Sequence, residues 1–456
     1  MYRIIDDFVF VTHDDVDEED SNSAQKKITA ATQPEPEYLR EISAFVDSIA
    51  DELWPVNKTI HDNPELGYKE FIAHATLTKF MCSKPGWKVT PSAYGMKTAW
   101  VAVFDSGVKG PVVSFNAEMD ALEGMGHACG HNLIATASVA GALTTAEVMK
   151  QHNIGGKVVL FGTPAEEGGG GKIRLLKAGA YRDHKVDINL ISHPGITRDG
   201  ALMRTSAYIA FKVEYFGREA HAAASPWLGI NALDALVTAY NGLSVLRQQT
   251  MPGDVIQGNI TDGGLRPNVI HAYAAGRFVA RADTQARRDE LKRKVDACFA
   301  AGAVATGATL KLTPTQAYAD HVPNPVLARR YRRYFNGLPP AGDGGSPPRI
   351  PEDDAVDEMH GRTMASTDQG DVSYAMPSLS PGFWIPPGPQ GNGPHSPDFA
   401  LASGTRTAFE KALRVGKALA GTAVDVLTTE GLLDEVKRAW EKEVKGEKEV
   451  KGEKGE

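Results

Sequence analysis

Residues 113–134 read VSFNAEMDALEGMGHACGHNLI, and their order of strand, loop and helix is typical of an α/β protein. The start of this stretch completes an apolar run, Val112 to Phe115, which predicts a buried strand. Small and apolar residues resume as a predicted helix from Ile134. Between the two lies a loop with seven chemically useful side chains: Glu118, Asp120, Glu123, His127, Cys129, His131 and Asn132. α/β proteins place their chemistry in loops of this kind, at the carboxyl edge of a sheet.

Cys129, Gly130 and His131 form the centre of this loop. A thiolate and an imidazole two residues apart can bind one metal ion, and the glycine lets the backbone turn both toward it. A lone cysteine is more often a small buried apolar residue, and a lone histidine is more often a hydrogen-bonded or surface residue. Both interpretations stay open on these three residues alone.

The composition limits the class of protein. The 456 residues are 42% hydrophobic, which predicts a globular protein of two domains, or three at most. The net charge of −8 argues against nucleic acid and anionic membranes as partners, and no apolar run has membrane-spanning length. The acidic start, Asp6 to Asp20, lacks the basic head and apolar core of a signal peptide. The chain has three cysteines, which fit free or metal-bound thiols and a cytoplasmic location.

The first half of the chain reads as an α/β domain. Residues 1–36 are acidic and aperiodic, so we expect a poorly ordered arm there. Residues 37–205 alternate helices and strands, which predicts a mostly parallel sheet with helices on both faces. Helices are expected from Glu37 to Trp54, up to Cys82 and from Ile134 to Gln151, and strands at 87–90, 98–104, 112–115, 157–162 and 188–191.

Two further predicted strands also end in candidate ligands. Glu166 and Glu167 follow strand 157–162, and His193 follows strand 188–191. The paired acids alone fit a solvated loop as well as a site. Four glycines follow them, but the acids would repel phosphate and no Gly-Lys-Ser/Thr comes next, so a phosphate-binding loop is not expected. Candidate ligands at three successive strand ends favour a metal site.

Residues 206–316 predict a second, inserted domain. The order is β-α-β-β-α-β, with a long first helix from Pro226 to Gln249, which is a ferredoxin-like α+β unit. We expect this unit to serve as a lid or dimerisation domain. Residues 317–440 return to the first domain, with a flexible loop at 336–354 and a closing helix from Phe399 to Ala420. Residues 441–456 read as a charged, low-complexity tail.

Several motifs together resemble a known family. They include Asn116 to Leu122, Gly126 to Leu133, HDNPE at 61–65, PAEEG at 164–168, GREAHAAA at 217–224, RPNVI at 266–270, STD at 366–368 and HSP at 395–397. The chain is similar in these to the amidohydrolase branch of the aminoacylase-1 and glutamate carboxypeptidase metallopeptidases. Within that branch it resembles the group of aminoacylase-1-like protein 2 and aminobenzoyl-glutamate hydrolase. The likeness covers about residues 37–420.

The resemblance implies a site with two divalent metal ions, zinc by preference and otherwise manganese or cobalt. It implies five metal ligands and one uncoordinated general base. The base is Glu166, and the ligands are Cys129, which would bridge the ions as a thiolate, His131, Glu167, His193 and His395. Two such ions polarise an amide carbonyl and lower the pKa of a shared water molecule.

Other residues receive supporting roles from the resemblance. Asp120 is expected to orient a ligating imidazole. His221 is expected to reach the active site of a neighbouring subunit and stabilise the oxyanion, which implies a homodimer. Arg266 and Asn268 match positions near the substrate carboxylate, which an arginine can hold with two hydrogen bonds.

These residues predict a cytoplasmic metal-dependent amidohydrolase that acts on a dipeptide or an N-acyl amino acid. The same site could form such an amide if other reactions drive it. A second class of enzyme would use Cys129 as nucleophile and His131 as its base, but the spacing of the two and the surplus of ligands disfavour this. A third class, a metal-stabilised scaffold without activity, would have no use for Glu166.

Overall fold

The architecture comes from a computed structural model that describes residues 35–339 and 349–452. Its helices are α1 Leu39–Asp62, α2 Phe71–Cys82, α3 His131–His152, α4 Gly171–Ala178, α5 Ala180–Asp183, α6 Ala232–Leu246, α7 Gln285–Thr306, α8 Pro325–Gly337, α9 Asp354–Gly361, α10 Gln369–Ala375, α11 Pro397–Ser403, α12 Arg406–Thr428 and α13 Leu432–Gly452. Its strands are β1 Trp87–Pro91, β2 Trp100–Asp105, β3 Val112–Glu118, β4 Lys157–Thr163, β5 Ile188–Leu190, β6 His193–Gly195, β7 Ala207–Phe216, β8 Val255–Asp262, β9 Tyr273–Ala282, β10 Thr309–Tyr318, β11 Ser378–Leu379 and β12 Gly382–Trp384. No helix in these ranges is long and apolar enough to cross a membrane.

A six-stranded sheet in the order β1-β2-β4-β3-β5-β11 forms the centre of the larger part. The pairings of β3 with β4, β3 with β5 and β5 with β11 are parallel, whereas β1 and β2 join antiparallel at one edge. The alternation of residues along β4 explains why both faces are covered. Val158 and Leu160 contribute to the core shared with α1, α3 and α12, while Val159 and Phe161 face a second core that includes α4, α5 and α10. The predicted fold class is confirmed.

The second sheet has four antiparallel strands in the order β10-β7-β9-β8. The two helices α6 and α7 pack on it around a separate apolar core, in which Phe211, Phe278 and Phe299 meet ring to ring. The element order is the predicted β-α-β-β-α-β. Strand β8 lies at one edge of this sheet, and β7 and β10 carry the chain into and out of it.

Several predicted helix boundaries were wrong, and local chemistry explains the differences. The first helix continues through Pro55 to Asp62 instead of ending at Trp54. The helix predicted from Pro226 to Gln249 is a 3-10 turn, then α6 from Ala232 to Leu246, and then a second 3-10 turn. The side chain of Asn231 caps α6 by accepting the N–H of Leu233, which sets its later start.

The closing helix is divided. Instead of one helix from Phe399 to Ala420, α11 ends at Ser403 and α12 begins at Arg406. Gly404 lies so close to the His61 ring that a Cβ atom there would clash, and Thr405 caps α12 by accepting the N–H of Ala408. Helix α13 runs into the segment expected to be a tail, where Val444 is buried.

Parts of three predicted segments lie outside the described residues. These are positions 1–34 of the expected acidic arm, positions 340–348 of the expected loop at 336–354 and positions 453–456 of the expected tail at 441–456. The described part of that loop region is followed by α9, which the sequence did not predict. Asp353 caps this helix by accepting the N–H groups of Ala355 and Val356.

Candidate metal centre

The candidate ligands meet at the carboxyl ends of three parallel strands. β3 ends at Glu118, β4 ends just before the acidic pair Glu166 and Glu167, and β5 is followed by His193. His131 is the first residue of α3, which begins three residues earlier than predicted. Gly130 allows this start, because its φ of 77° is left-handed and a Cβ there would lie 2.6 Å from Pro194.

Cys129, His131 and His193 present one ligand atom each within 4.8 Å of one another. The Cys129 Sγ lies 3.3 Å from His193 Nε2. His131 and His193 are arranged edge to face, with ring centroids 6.4 Å apart. The structure therefore brings the thiol and two of the predicted imidazoles to one point.

A second group shares the same thiol. Cys129, Glu167 and His395 also present ligand atoms within 4.8 Å of one another, and His395 Nε2 lies 3.1 Å from Glu167 Oε1. A third group consists of His131, Glu166 and Glu167. The five predicted ligands and the predicted base thus form one continuous cluster, and Cys129 is common to the two groups that contain His193 and His395.

The hydrogen-bond partners of the imidazoles determine which ring nitrogen faces the cluster. His131 Nδ1 lies 3.2 Å from Asp120 Oδ1, so this nitrogen donates to the carboxylate and Nε2 faces the cluster. His131 Nε2 is buried, and no described residue forms a hydrogen bond with it. His193 Nδ1 lies 2.8 Å from the carbonyl oxygen of Pro194, which leaves its Nε2 facing Cys129. Both rings therefore direct Nε2 toward the cluster, which is the orientation that a metal ligand needs.

The cluster is electrostatically suited to a cation. Burial and the carboxylates of Glu118 and Glu167 hold the pKa of Glu166 well above its usual range. Burial also raises the pKa of the Cys129 thiol, so a thiolate there requires a neighbouring cation. Burial opposes the charged form of His131, but neighbouring negative groups outweigh it and raise the pKa of this imidazole well above its usual range. Glu118 is the main one of these groups. Thiol, imidazole and carboxylate donors of this number and spacing fit divalent metal ions.

A buried lysine, which sequence reasoning missed, neutralises part of this negative charge. Lys172 Nζ lies 2.6 Å from Glu118 Oε1 and 2.5 Å from Asp368 Oδ1, and all three side chains are buried. Glu118 Oε2 lies 3.3 Å from His131 Nε2. Glu118, Glu166 and Asp368 also present oxygen atoms within 4.8 Å of one another. The ammonium group lies among these carboxylates and supplies their positive partner.

Residues 164–170, the Glu166 turn, carry the acidic pair after β4. Asp120 accepts the backbone N–H groups of Glu166 and Glu167, at 3.1 and 2.8 Å. Glu70, another buried acid that the sequence analysis did not single out, accepts the N–H of Ala165 at 2.8 Å. Ala165 has a φ of 54°, a left-handed conformation that a non-glycine residue adopts only when its surroundings hold it there.

The glycines after the acidic pair serve this turn. A Cβ on Gly171 would lie 1.7 Å from the carbonyl oxygen of Pro164, so only glycine allows the chain to fold back there. Glu70 and Asp120 hold the backbone N–H groups of this turn, so the side chains of Glu166 and Glu167 can point in different directions. The glycine run thus has a structural use that is unrelated to phosphate.

Three other predicted residues belong to a different part of the fold. His221, Arg266 and Asn268 are exposed and belong to the unit built on the four-stranded sheet. Their two segments pair, because His221 forms a bridge with Val269 and the N–H of Ala222 donates to the carbonyl of Asn268. The described contacts of His221 remain within these segments. His127, one of the seven side chains noted in the loop, is buried, and burial lowers its pKa to about 3.

Comparisons with known proteins identify the family. A sequence profile described as peptidase family M20/M25/M40 matches residues 110–324. The chain is 37% identical to mouse (Mus musculus) Xaa-Arg dipeptidase over 410 residues, which covers 88% of this chain and 91% of that protein. It is 28% identical to one of the subunits of p-aminobenzoyl-glutamate hydrolase from Escherichia coli strain K12, over 88% of this chain and 95% of that protein.

A solved structure supports the same fold. The Bacillus subtilis YXEP protein, described as a dinuclear metal-binding peptidase of the M20 family, superposes with a TM-score of 0.61 at 18% identity. The match covers 84% of this chain and 99% of that chain.

Proposed function

Because this chain belongs to peptidase family M20/M25/M40 and is a metal-dependent hydrolase of amide or peptide bonds, we propose that it cleaves dipeptides or N-acyl amino acids at the Cys129 cluster. The observation that carries this proposal is the convergence of Cys129, His131, Glu167, His193 and His395 around the raised-pKa carboxyl of Glu166. Residues 37–205 and 317–440 would form the catalytic domain, and residues 206–316 the lid.

We assign two divalent ions to the cluster. Cys129, as a thiolate, would hold them together with His131 and His193, through Nε2, and with Glu167 and His395. Thiolate and imidazole donors favour zinc over manganese or cobalt. When bound, the ions would polarise the amide carbonyl and acidify a water molecule.

Glu166 would move the proton. Its carboxylate can accept a proton from the attacking water and then donate that proton to the nitrogen of the leaving amine. Burial and neighbouring carboxylates raise the pKa of Glu166, which suits a group that takes up a proton and later releases it. Asp120 would keep His131 in its ligating tautomer and hold the backbone on both sides of the base.

His221 would complete the site from another subunit. Its Nδ1 accepts the N–H groups of Ala223 and Ala224, at 3.2 and 3.1 Å, so the proton belongs on Nε2. An exposed Nε2–H is a suitable donor to an oxyanion. We therefore propose a homodimer in which His221 of each chain serves the cluster of the other. Arg266 and Asn268, on the paired segment, would bind the substrate carboxylate.

The substrate we favour is a dipeptide with a basic C-terminal residue. Support comes from the 37% identity to a protein named Xaa-Arg dipeptidase, with almost complete coverage of both chains. N-acyl amino acids are the second class, because the chain is also similar to the p-aminobenzoyl-glutamate hydrolase protein of Escherichia coli. The few cysteines support a cytoplasmic location.

The direct test is a substitution of Glu166, the proposed base. Turnover is measured with alanyl-arginine as part of a panel of dipeptides and N-acyl amino acids. Glu166→Gln should lower it by about 10²–10⁴-fold, while the metal content stays the same. Glu123→Gln is the matched control, because Glu123 is an exposed acid of the same loop as Cys129 and should be replaceable without loss. Undiminished turnover in Glu166→Gln would refute the assignment of the base.

A further inference from the structure

Tyr318 stands out among the residues near the cluster because its hydroxyl group makes three hydrogen bonds. It donates to the carbonyl oxygen of Glu166 at 2.8 Å and accepts the backbone N–H of Gly170 at 3.0 Å. The side-chain amide of Gln316 also donates to it. The tyrosine is almost fully buried, with 2% of its surface exposed. These bonds fix the direction of the O–H group and leave it no alternative partner.

The hydroxyl of Tyr318 connects the middle of the Glu166 turn, at Glu166, to its last residue, Gly170. The Glu166 carbonyl also accepts the N–H of Gly168 at 2.7 Å, so its position is set by one local and one distant donor. Asp120 accepts the N–H of Glu166. The peptide units on both sides of the Glu166 side chain are therefore held by side chains from outside the turn.

Tyr318 also occupies a particular place in the chain. It is the last residue of β10, where the chain leaves the four-stranded sheet and continues toward α8 in the larger core. Its register partner is Tyr208, near the start of β7, where the chain enters that sheet. The two rings meet edge to face at 5.1 Å. The hydroxyl thus connects the Glu166 turn to the exit of the four-stranded sheet.

We propose that Tyr318 is a positioning residue for the hydrolytic reaction: its hydroxyl holds the Glu166 turn so that the carboxylate of Glu166 faces the metal cluster. This inference rests on the proposed role of Glu166 and adds a residue that acts only through it. Without the hydroxyl, the Glu166 carbonyl and the Gly170 N–H lose their common partner, and the turn gains freedom. A small displacement of a catalytic group is enough to slow a reaction strongly.

The test uses the full-length, metal-loaded protein and the variant Tyr318→Phe, which keeps the ring and removes the hydroxyl. Turnover of alanyl-arginine should fall about 10-fold at unchanged metal content, and KM should stay within about twofold. Tyr215→Phe is the control. It removes a buried hydroxyl that donates to the carbonyl of Phe299 at 2.6 Å, inside the four-stranded unit, and should leave turnover unchanged.

Two further readouts separate positioning from a general loss of stability. In the Glu166→Gln background, Tyr318→Phe should cause no additional loss of the residual turnover, because both changes act on one group. Amide hydrogen exchange in residues 164–171 should accelerate in Tyr318→Phe and not in Tyr215→Phe. The proposal would be overturned if Tyr318→Phe left amide hydrogen exchange in this segment unchanged, or if it left kcat unchanged. It would also be overturned if Tyr318→Phe caused its full loss of turnover in the Glu166→Gln background. Absence of turnover in the wild-type protein would refute the proposed function, and exchange alone would then decide whether Tyr318 holds the turn.

Discussion

At the scale of single residues, Cys129 is the ligand whose chemistry is easiest to vary. A carboxylate can also bridge two divalent ions, so Cys129→Asp should bind metal and retain part of the activity. Cys129→Ser, which has similar size but lacks a readily formed anion, should bind metal more weakly and lose more activity. Metal analysis and turnover measured on the same samples test this order.

The same pair of variants separates a ligand from a nucleophile. If Cys129 attacked the substrate, both substitutions would abolish turnover equally, and mass spectrometry would trap a thioester on Cys129 in the wild-type protein. Detection of such an adduct would contradict the metal-ligand assignment.

The residues that could be identified from the sequence share one property. Cys129, His131 and His193 follow apolar strands, and strand ends of a parallel sheet meet at one edge. Glu70, Lys172 and Tyr318 carry no such signal. Their roles depend on hydrogen bonds and ion pairs between segments that are distant in the chain, such as the bond of Tyr318 to Glu166. Only the folded structure shows these contacts.

At the scale of elements, the segment between β10 and α8 contains a histidine that should make the fold acid-sensitive. His321 is buried, with Nδ1 2.9 Å from the carbonyl oxygen of Met203 and Nε2 3.3 Å from Ser378 Oγ. Burial lowers its pKa to about 4. Its unfolded pKa is about 6.5, so the unfolded chain binds the proton first and stability is lost as the pH falls from about 6.5 to about 4.

The wild-type protein should therefore lose about 2 kcal/mol more unfolding free energy between pH 7 and pH 5 than His321→Gln does. Urea denaturation at both pH values, with a chelator present so that metal release does not contribute, measures the difference. Above pH 7 the two proteins should show the same pH dependence. An equal loss in both between pH 7 and pH 5 would mean that His321 does not control this sensitivity.

Element types were predictable and element ends were less so. Periodicity indicated the four strands of the second sheet and five of the six strands of the first, because their alternating or fully apolar runs follow from burial on one or two faces. The two-residue strand β11 is too short to give such a pattern. Helix ends depend on caps and close contacts. The side chain of Asn231 delays α6, and the contact of Gly404 with His61 divides the closing helix. Neither contact can be read from hydrophobic periodicity.

At the scale of the whole molecule, the exposed position of His221 on the four-stranded unit leads to a test of assembly. Glu166→Gln and His221→Ala should each be nearly inactive alone. When the two are mixed under conditions of proven subunit exchange, mixed dimers should regain activity, because one of their two sites combines an intact base with an intact partner histidine. Glu166→Gln mixed with itself is the control. Failure of the mixture to recover would place His221 within its own chain or outside the reaction.

If hydrolysis requires two metal ions at the Cys129 cluster, turnover should follow metal content in a titration. Protein freed of metal by a chelator should be inactive toward alanyl-arginine and the other substrates of the panel. Stepwise addition of zinc should restore turnover to a plateau at two ions per chain, as determined by elemental analysis of the same samples. Full turnover in the metal-free protein would contradict metal-dependent hydrolysis at this cluster. The same conclusion would follow if zinc restored turnover in Cys129→Ala and His131→Ala as fully as in the wild-type protein.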